Sequence, residues 1–216
     1  MKDKIRSYLV FATRGYKIVM LFVLPVFLLA VDFMAAVFFR GSAMPAYIML
    51  LIMAEVMSDI WYLGGIQEKN SQKIDYLKTS ARGMQIMKNA LILDLVRRFV
   101  YLVVIAGASW LFTIIFTAGE GVRTKLGPWE VLLAALLIYT LSVLGIFLCR
   151  FFSYLWVNLL AAYVEAIAGL VIFLIAAEGF LPVILADIAL AILGAGFSIL
   201  AVKIAMLKVE GSYYDK

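Results

Sequence analysis

The sequence contains no histidine and a single cysteine, Cys149, and these shortages exclude several kinds of protein. One cysteine cannot form an intrachain disulfide, and without histidine the usual ligand set of a zinc site is missing. Charged residues make up only 15% of the chain, whereas about 25% is usual for a soluble domain. We therefore do not expect a soluble globular protein, a zinc protein or a disulfide-linked scaffold.

Hydrophobic residues, by contrast, make up 66% of the 216 residues, well above the roughly 45 to 50% of a soluble domain. Several apolar runs reach the ~20 residues that cross the hydrocarbon core of a bilayer. We predict six membrane-spanning helices, at about residues 18–39, 45–65, 99–118, 130–149, 153–177 and 183–207. Residues 1–216 are expected to form one all-α, integral membrane domain.

The distribution of lysine and arginine predicts which side of the membrane each loop occupies, because cytoplasmic loops are enriched in these residues. With both termini in the cytoplasm, 16 of the 19 basic residues lie inside and only Arg40, Arg123 and Lys125 lie outside. The sequence therefore predicts a multi-pass protein with both termini cytoplasmic. The net charge of +5 reflects basic inner loops and does not indicate nucleic-acid binding.

The N-terminal region combines an amphipathic stretch with the first apolar run. Residues 3–16 place apolar side chains at helical spacing, which is typical of an interfacial helix on the inner leaflet. No small-residue cleavage pattern follows the first apolar run, so we expect that run to be retained as a span. Pro25 predicts a kink in its inner third.

The longest hydrophilic insertion is the cytoplasmic loop at residues 66–94, between the second and third predicted spans. A short apolar stripe within it contains Ile74, Tyr76 and Leu77, and a second helix is expected to follow Thr79 and lead into the third span. This pattern is compatible with a short helix that has one apolar face. It is equally compatible with a solvated basic linker attracted to anionic lipid.

The segment EKNSQKIDYLKTSARGMQIMKNAL, at residues 68–91, resembles the stretch after the second span of ABC-2 type permeases, the membrane subunits of one class of ABC transporters. The family pattern reads approximately E-K-E-x-G-T-L-E-x-L-L-x-[ST]-P-[LIV]-S-x-x-E-I-[LI]-x-G-K. The shared positions are Glu68, Lys69, Ile74, Tyr76, Leu77, Thr79, Ile86 and Lys88. Residues 71–73 replace the family's Gly-Thr, Ser80 stands where proline is usual, and Gly83 follows where a polar residue is common. Six spans, cytoplasmic termini and an amphipathic N-terminal helix extend the resemblance over the chain.

The resemblance implies a permease subunit of an ATP-driven exporter in the bacterial cytoplasmic membrane. In that family the loop forms a coupling helix that docks into the ATP-binding subunit. The residues expected to couple this chain to the ATPase are Glu68, Ile74, Tyr76, Leu77 and Thr79. The chain lacks a GxxxxGK[ST] phosphate loop, so we expect a transporter subunit rather than an enzyme, with no cofactor of its own and with ATP and Mg on the partner chain.

The same resemblance implies a second permease subunit, because six spans are half of the twelve usual for such exporters. A homodimer is the expected form. The small size of the chain resembles that of permeases that export hydrophobic or amphipathic peptides, such as phenol-soluble modulins or bacteriocins.

Five carboxylates fall within the predicted spans: Asp32, Glu55, Asp59, Glu165 and Asp187. Apart from Lys203, no lysine or arginine is predicted at matching depth. A charged Asp at the bilayer centre costs about 2.5 to 3.5 kcal/mol, so these side chains are expected to face protein or water. They either are protonated and donate hydrogen bonds between helices, or line an acidic translocation path for cationic amphipathic substrates.

Two other classes of membrane protein fit the sequence less well. The substrate-binding subunit of an energy-coupling-factor vitamin importer also has six helices, but it predicts ordered outer loops and no docking helix, whereas here the inner loop is the long one. An intramembrane enzyme lacks its chemistry, because the sequence contains neither histidine nor a Gly-x-Ser-Gly or Gly-x-Gly-Asp element. Small residues in the fifth and sixth spans are expected to pack helices closely, mostly within one subunit and otherwise at a dimer seam: Ala162, Ala166, Gly169, Ala191, Gly194, Ala195 and Ser198.

Overall fold

The computed structural model of the chain describes residues 9, 11, 12, 14–38, 43–67, 79, 80, 82–117, 127–152 and 155–211. These residues are almost entirely helical and contain no strand. Six of the helices are long and apolar enough to cross a membrane. The prediction of an all-helical protein with six membrane-spanning segments is thereby confirmed at the level of length and composition.

The six helices are numbered α1 to α6 in chain order. Helix α1 comprises Arg14–Ile18, a π-helical segment Val19–Val23 and Leu24–Phe38. The others are α2 Met44–Gln67, α3 Gly83–Thr117, α4 Pro128–Phe151, α5 Leu155–Ala177 and α6 Val183–Gly211. Most bounds lie within a few residues of the predicted spans, but α3 begins far earlier than residue 99.

The π-helical segment of α1 is explained by Pro25. Proline has no backbone N–H, and its ring clashes with the carbonyl four residues earlier in an α-helix. The backbone N–H of Leu24 donates to the carbonyl of Val19, five residues back, which is the π spacing. The irregularity expected at Pro25 therefore takes the form of a π turn just before the proline.

Helix α3 is a continuous helix of 35 residues. At 1.5 Å per residue it is about 52 Å long, well beyond the ~30 Å of a bilayer core. The N–H of Gly83 donates to the carbonyl of Ser80 at 3.0 Å, so the chain turns into the helix there. The helix expected after Thr79 and the third span are consequently one rigid element.

Helix α4 is the centre of the bundle. Of the 18 residues in its most apolar stretch, 67% are buried, compared with 11% in the corresponding stretch of α6 and 17% in that of α1. It packs against α2, α3, α5 and α6, whereas α1 packs mainly on α3. Leu137 of α4, Ile52 of α2 and Ala166 of α5 are fully buried in the main core. The outer helices direct large apolar side chains such as Trp156 and Ile199 outward, as expected of a surface in lipid.

The α4 and α6 helices approach closely at Gly194, which is buried. The hydroxyls of Tyr139 and Ser198 are hydrogen-bonded at 2.8 Å, and the Thr140 hydroxyl donates to the carbonyl of Leu190 at 3.0 Å. The packing face of α6 therefore follows the four-residue spacing of Leu190, Gly194 and Ser198.

The expected packing role of the small residues holds for part of the set. Ala162, Ala166 and Gly169 of α5 are all buried. Ala191 and Ala195 of α6 are exposed, so they do not pack within the subunit, and for these two residues the dimer seam stays a prediction. The reason is geometric, because these two alanines lie one residue beyond the face that meets α4.

We expect Gly194→Leu to destabilise the bundle. A Cβ at residue 194 would lie 2.9 Å from Thr140 Oγ1 and 3.2 Å from Tyr139 Cδ1, so the helices must separate. Overpacking of this kind costs about 1 to 3 kcal/mol. Thermal unfolding in detergent with a thiol-reactive dye measures this, because Cys149 is the only thiol and is buried.

Gly196→Leu is the matched control. A Cβ at residue 196 has nothing within 4 Å, so this variant should unfold at or above the wild-type temperature. Equal unfolding temperatures for the two variants would contradict the close α4–α6 contact.

Candidate functional site

Six charged side chains from three helices meet inside the bundle and form what we call the ion-pair cluster. Its members are Glu55 and Asp59 of α2, Asp94, Arg97 and Arg98 of α3, and Arg150 of α4. Five of these side chains are at most 1% exposed, and Arg97 is 13% exposed. Three acids and three arginines give the cluster a formal charge of zero.

Helical spacing explains why these residues face one another. Glu55 and Asp59 are four residues apart and lie on one face of α2, and Asp94 and Arg98 have the same spacing on α3. Arg150 lies in the last turn of α4, the helix that packs between the others. Three short helix faces thus supply all six groups.

Arg98 is the hub of the cluster. Its Nη1 donates to Glu55 Oε2 at 2.6 Å and to the backbone carbonyl of Glu55 at 2.5 Å. Its Nε donates to Asp94 Oδ2 at 2.7 Å, and its Nη2 lies 3.7 Å from Asp59 Oδ1. One guanidinium therefore neutralises acids from two helices, which only the planar, five-donor side chain of arginine does in this way.

Arg150 contacts both Asp59 of α2 and the backbone of α6. Its Nη2 and Nε donate to the two carboxylate oxygens of Asp59 at 2.7 and 3.1 Å. Its Nη1 donates to the backbone carbonyl of Ala201 at 3.1 Å. This bidentate pair ties α4 to α2, and the third bond ties α4 to α6.

Arg97 and Tyr16 complete the cluster on the side of α1. Arg97 lies 3.3 Å from both Glu55 Oε2 and Asp94 Oδ1, and its guanidinium carbon is 5.8 Å from the centre of the Tyr16 ring. The Tyr16 hydroxyl donates to Asp94 Oδ1 at 3.2 Å. Helices α1, α2, α3, α4 and α6 are all connected through this one polar site.

The arrangement is electrostatic, because each acid is paired with at least one arginine. Buried ion pairs add little net stability compared with a well-packed apolar core, but removing one partner leaves a charge without compensation and costs about 3 to 5 kcal/mol. The cluster therefore fixes which helix faces oppose one another.

The expectation that the acids in the spans lack basic partners is wrong for Glu55 and Asp59. Arg98 and Arg150 are among the 16 basic residues predicted on the cytoplasmic side, yet both side chains are only 1% exposed and point into the bundle. Asp94, Arg97, Arg98 and Arg150 were missed as site residues. The available signal was the Asp94 and Arg98 spacing, which mirrors that of Glu55 and Asp59.

The other three acids of the predicted translocation path do not join the cluster. Asp32 of α1 accepts a hydrogen bond from the Ser109 hydroxyl at 2.8 Å. Ser109 lies eleven residues beyond Arg98 on α3, which is about 16 Å along the helix. Asp187 is 5% exposed, and neither of its carboxylate oxygens has a hydrogen-bond partner among the described residues.

Glu165 of α5 lies beside the cluster without a bond to it. It is 6% exposed, and among the described residues neither carboxylate oxygen has a hydrogen-bond partner. Its carboxyl packs directly on Gly145 of α4, where a Cβ would collide with Oε2 and with Val56.

The residues expected to couple to an ATPase are mostly not part of the described structure. Glu68, Ile74, Tyr76 and Leu77 lie outside the described residues, as does most of the predicted interfacial helix at residues 3–16. Thr79 is described and is exposed shortly before α3. Their role stays a prediction.

No protein-family model, curated protein or solved structure gives a significant match to the chain. The functional assignment therefore depends on the sequence pattern and on the geometry of the helices.

We expect Arg98→Met to be among the most destabilising substitutions in the chain. The variant leaves Glu55 and Asp94 buried without their closest partner, at a cost of about 3 to 5 kcal/mol. The dye-based unfolding temperature measures the loss. Adding Glu55→Gln and Asp94→Asn to the same variant should recover part of it, because the uncompensated charges are then removed.

Arg82→Met is the control for loss of an arginine near the start of α3. Arg82 is exposed and makes no ion pair with a described residue, so this variant should unfold like the wild type. An Arg98→Met protein as stable as Arg82→Met would show that the cluster does not hold the helices together.

The two buried glutamates should respond differently to the same isosteric change. Glu165→Gln removes no hydrogen bond or ion pair with a described residue, so we expect stability equal to or above that of the wild type. Glu55→Gln leaves Arg98 and Arg97 short of a negative partner and should lower the unfolding temperature by several degrees. A larger loss of stability in Glu165→Gln than in Glu55→Gln would contradict this assignment, because it would mean that the charge of Glu165 and not that of Glu55 stabilises the bundle.

Proposed function

We propose that this chain is the membrane-spanning permease subunit of an ATP-driven, ABC-2 type exporter that is powered by a separate ATP-binding subunit. The observation that carries the proposal is the buried connection between α2 and α3. These are the two helices that lead into and out of the segment resembling the coupling element of that family.

The position of the connection suits the transmission of force. Glu55 lies twelve residues before the end of α2 at Gln67, and Asp94 lies eleven residues after the start of α3 at Gly83. These intervals correspond to about 18 and 16 Å of helix, so the two helices are joined at similar distances from the loop. Elsewhere α2 and α3 contact each other sparsely.

A displacement of the loop would therefore move both helices together. The Arg150 contacts with Asp59 and with the carbonyl of Ala201 pass the displacement to α4 and α6. In this mechanism, ATP closes a pair of ATPase subunits, and Ile74, Tyr76 and Leu77 transmit the motion to the paired permeases. The permeases then change from one helix packing to another.

The cluster contains a ready alternative pairing for such a change. Arg98 is bonded to Glu55 and already lies 3.7 Å from Asp59, one helical turn further along α2. Sliding α2 against α3 by up to one turn, about 5 to 6 Å, would bring Asp59 to Arg98 in place of Glu55, and Arg150 would either move with Asp59 or lose this partner.

The proposed cargo is a hydrophobic or amphipathic peptide, and the proposed assembly is a homodimer in the bacterial cytoplasmic membrane. The short connection between α5, which ends at Ala177, and α6, which begins at Val183, supports a minimal exporter with little outer gating. Asp32, Glu165 and Asp187 are the carboxyls left for a translocation path, since Glu55 and Asp59 are engaged by arginines.

The test is reconstitution of the chain with the ATP-binding protein encoded beside it. We expect ATP hydrolysis stimulated by an amphipathic peptide, and ATP-dependent movement of that peptide across the vesicle membrane. Ile74→Ala with Leu77→Ala should lower both by roughly tenfold or more, because the expected docking contacts are apolar.

Asn70→Ala is the control within the same loop, because residue 70 is not one of the family's apolar positions. It should leave hydrolysis and export unchanged. Loss of the proposed function would be indicated by a chain that forms no complex with the ATPase, or by an Ile74 and Leu77 variant that exports normally. Tight binding of a vitamin by the chain alone would favour the importer class instead.

A further inference from the structure

A groove of about 830 Å³ runs between α3 and α6, with Tyr139 of α4 among the residues that line it. Its walls include Ile92 and Val96 of α3 and Ile199 and Leu207 of α6, which are 43%, 51%, 70% and 54% exposed. In a membrane protein such side chains face lipid. The groove is therefore an indentation in the lipid-facing surface and not an internal cavity.

Each wall of this groove carries a lysine. Lys88 of α3 and Lys203 of α6 both line the groove and are exposed, and neither makes an ion pair with a described acid. Glu210, near the end of α6, is the sole acid among the described residues that line it. The groove thus combines a long apolar surface with a net positive charge.

We propose that this groove binds an anionic phospholipid of the inner leaflet. The headgroup phosphate lies between Lys88 and Lys203, and an acyl chain follows Ile92, Val96 and Ile199. The proposal uses the orientation in which the start of α3 and the end of α6 face the cytoplasm, and it is independent of any ATPase partner.

The dimensions of the groove fit one leaflet. From Lys88 to Val96 is eight residues, or about 12 Å of helix, and half of a bilayer core is about 15 Å. Lysines at this level also suit the negative potential of a cytoplasmic leaflet rich in anionic lipid.

The charge of the groove favours an anionic lipid over other occupants. A second copy of the chain that docked by two-fold symmetry would bring its own Lys88 and Lys203 towards the same lysines. A cationic amphipathic peptide would meet the same repulsion. An anionic phospholipid alone supplies both a negative group and an apolar chain of matching length.

Occupancy of the groove would act on the ion-pair cluster. Leu95 lines the groove, and its neighbour Asp94 belongs to the cluster on the adjacent face of α3. A bound lipid would hold α3 against α6 and so bias the packing of the helix that carries Arg98.

Native mass spectrometry of the purified chain in detergent tests the proposal, with palmitoyl-oleoyl phosphatidylglycerol and palmitoyl-oleoyl phosphatidylcholine as probes. We expect the wild type to prefer phosphatidylglycerol. Lys88→Gln with Lys203→Gln should weaken that binding by roughly tenfold to thirtyfold, since each lysine near an anionic surface contributes the equivalent of about a fivefold change. Phosphatidylcholine binding should be unchanged.

Arg14→Gln with Lys17→Gln is the matched control. It removes two positive charges near the same end of the bundle, from α1 rather than from the groove, and should keep the preference. Ile199→Trp should reduce binding of both lipids by filling the apolar part.

Three results would overturn the proposal. The first is equal binding of the two lipids to the wild type, or an undiminished preference in the Lys88 and Lys203 variant. The second is full competition by glycerol 3-phosphate, which would mean that the phosphate alone is recognised. The third is a change in dimerisation or peptide binding of that variant with lipid binding intact. All of these measurements use the chain without a partner. Failure of the chain to bind an ATPase would therefore refute the proposed exporter function but would not affect the proposed lipid site.

Discussion

The Arg98 guanidinium lies within bonding distance of Glu55 and Asp94 and near Asp59, and the packing of the bundle depends on these contacts. A buried arginine must be surrounded by acids in the right positions, whereas apolar side chains tolerate many rotations of a helix. Most helix surfaces here are leucine, isoleucine, valine, alanine and phenylalanine, which distinguish poorly between one packing and another. The ion pairs supply the distinction, because a wrong rotation of α2 or α3 would leave charges buried and unpaired.

Two kinds of contact therefore hold the helices together. In the apolar core around α4, side chains are buried away from lipid and pack closely between helices, as at Gly194. The ion-pair cluster connects five helices at one level, about 16 to 18 Å from the end of α2 and the start of α3. Asp32 and its Ser109 hydrogen bond form a second polar contact about 16 Å away along α3. A rigid α3 links both polar contacts and also forms one wall of the lipid-facing groove.

The sequence alone predicts the number and type of helices well, because six apolar runs of sufficient length leave few alternatives. It predicts the helix that follows Thr79 but separates this helix from the third span, since the charged residues between Gly83 and Arg98 resemble a loop by hydropathy. The ion-pair cluster is harder to predict from the sequence than the helices are. Arginine in a membrane protein is usually read as a marker of the interface, and only the relative rotation of helices reveals that Arg98 and Arg150 point inward. The spacing of Glu55 and Asp59 was visible, but their partners lie 43 and 91 residues further along the chain.

The balance of three acids and three arginines also determines how the cluster responds to the membrane potential. Moving one elementary charge through 100 mV involves about 2.3 kcal/mol of electrical work. A group with no net charge that moves as a unit exchanges almost none of this work with the field. A movement that carries all six groups together is accordingly insensitive to the membrane potential, whereas sliding α2 alone would move the two negative charges of Glu55 and Asp59 in the field.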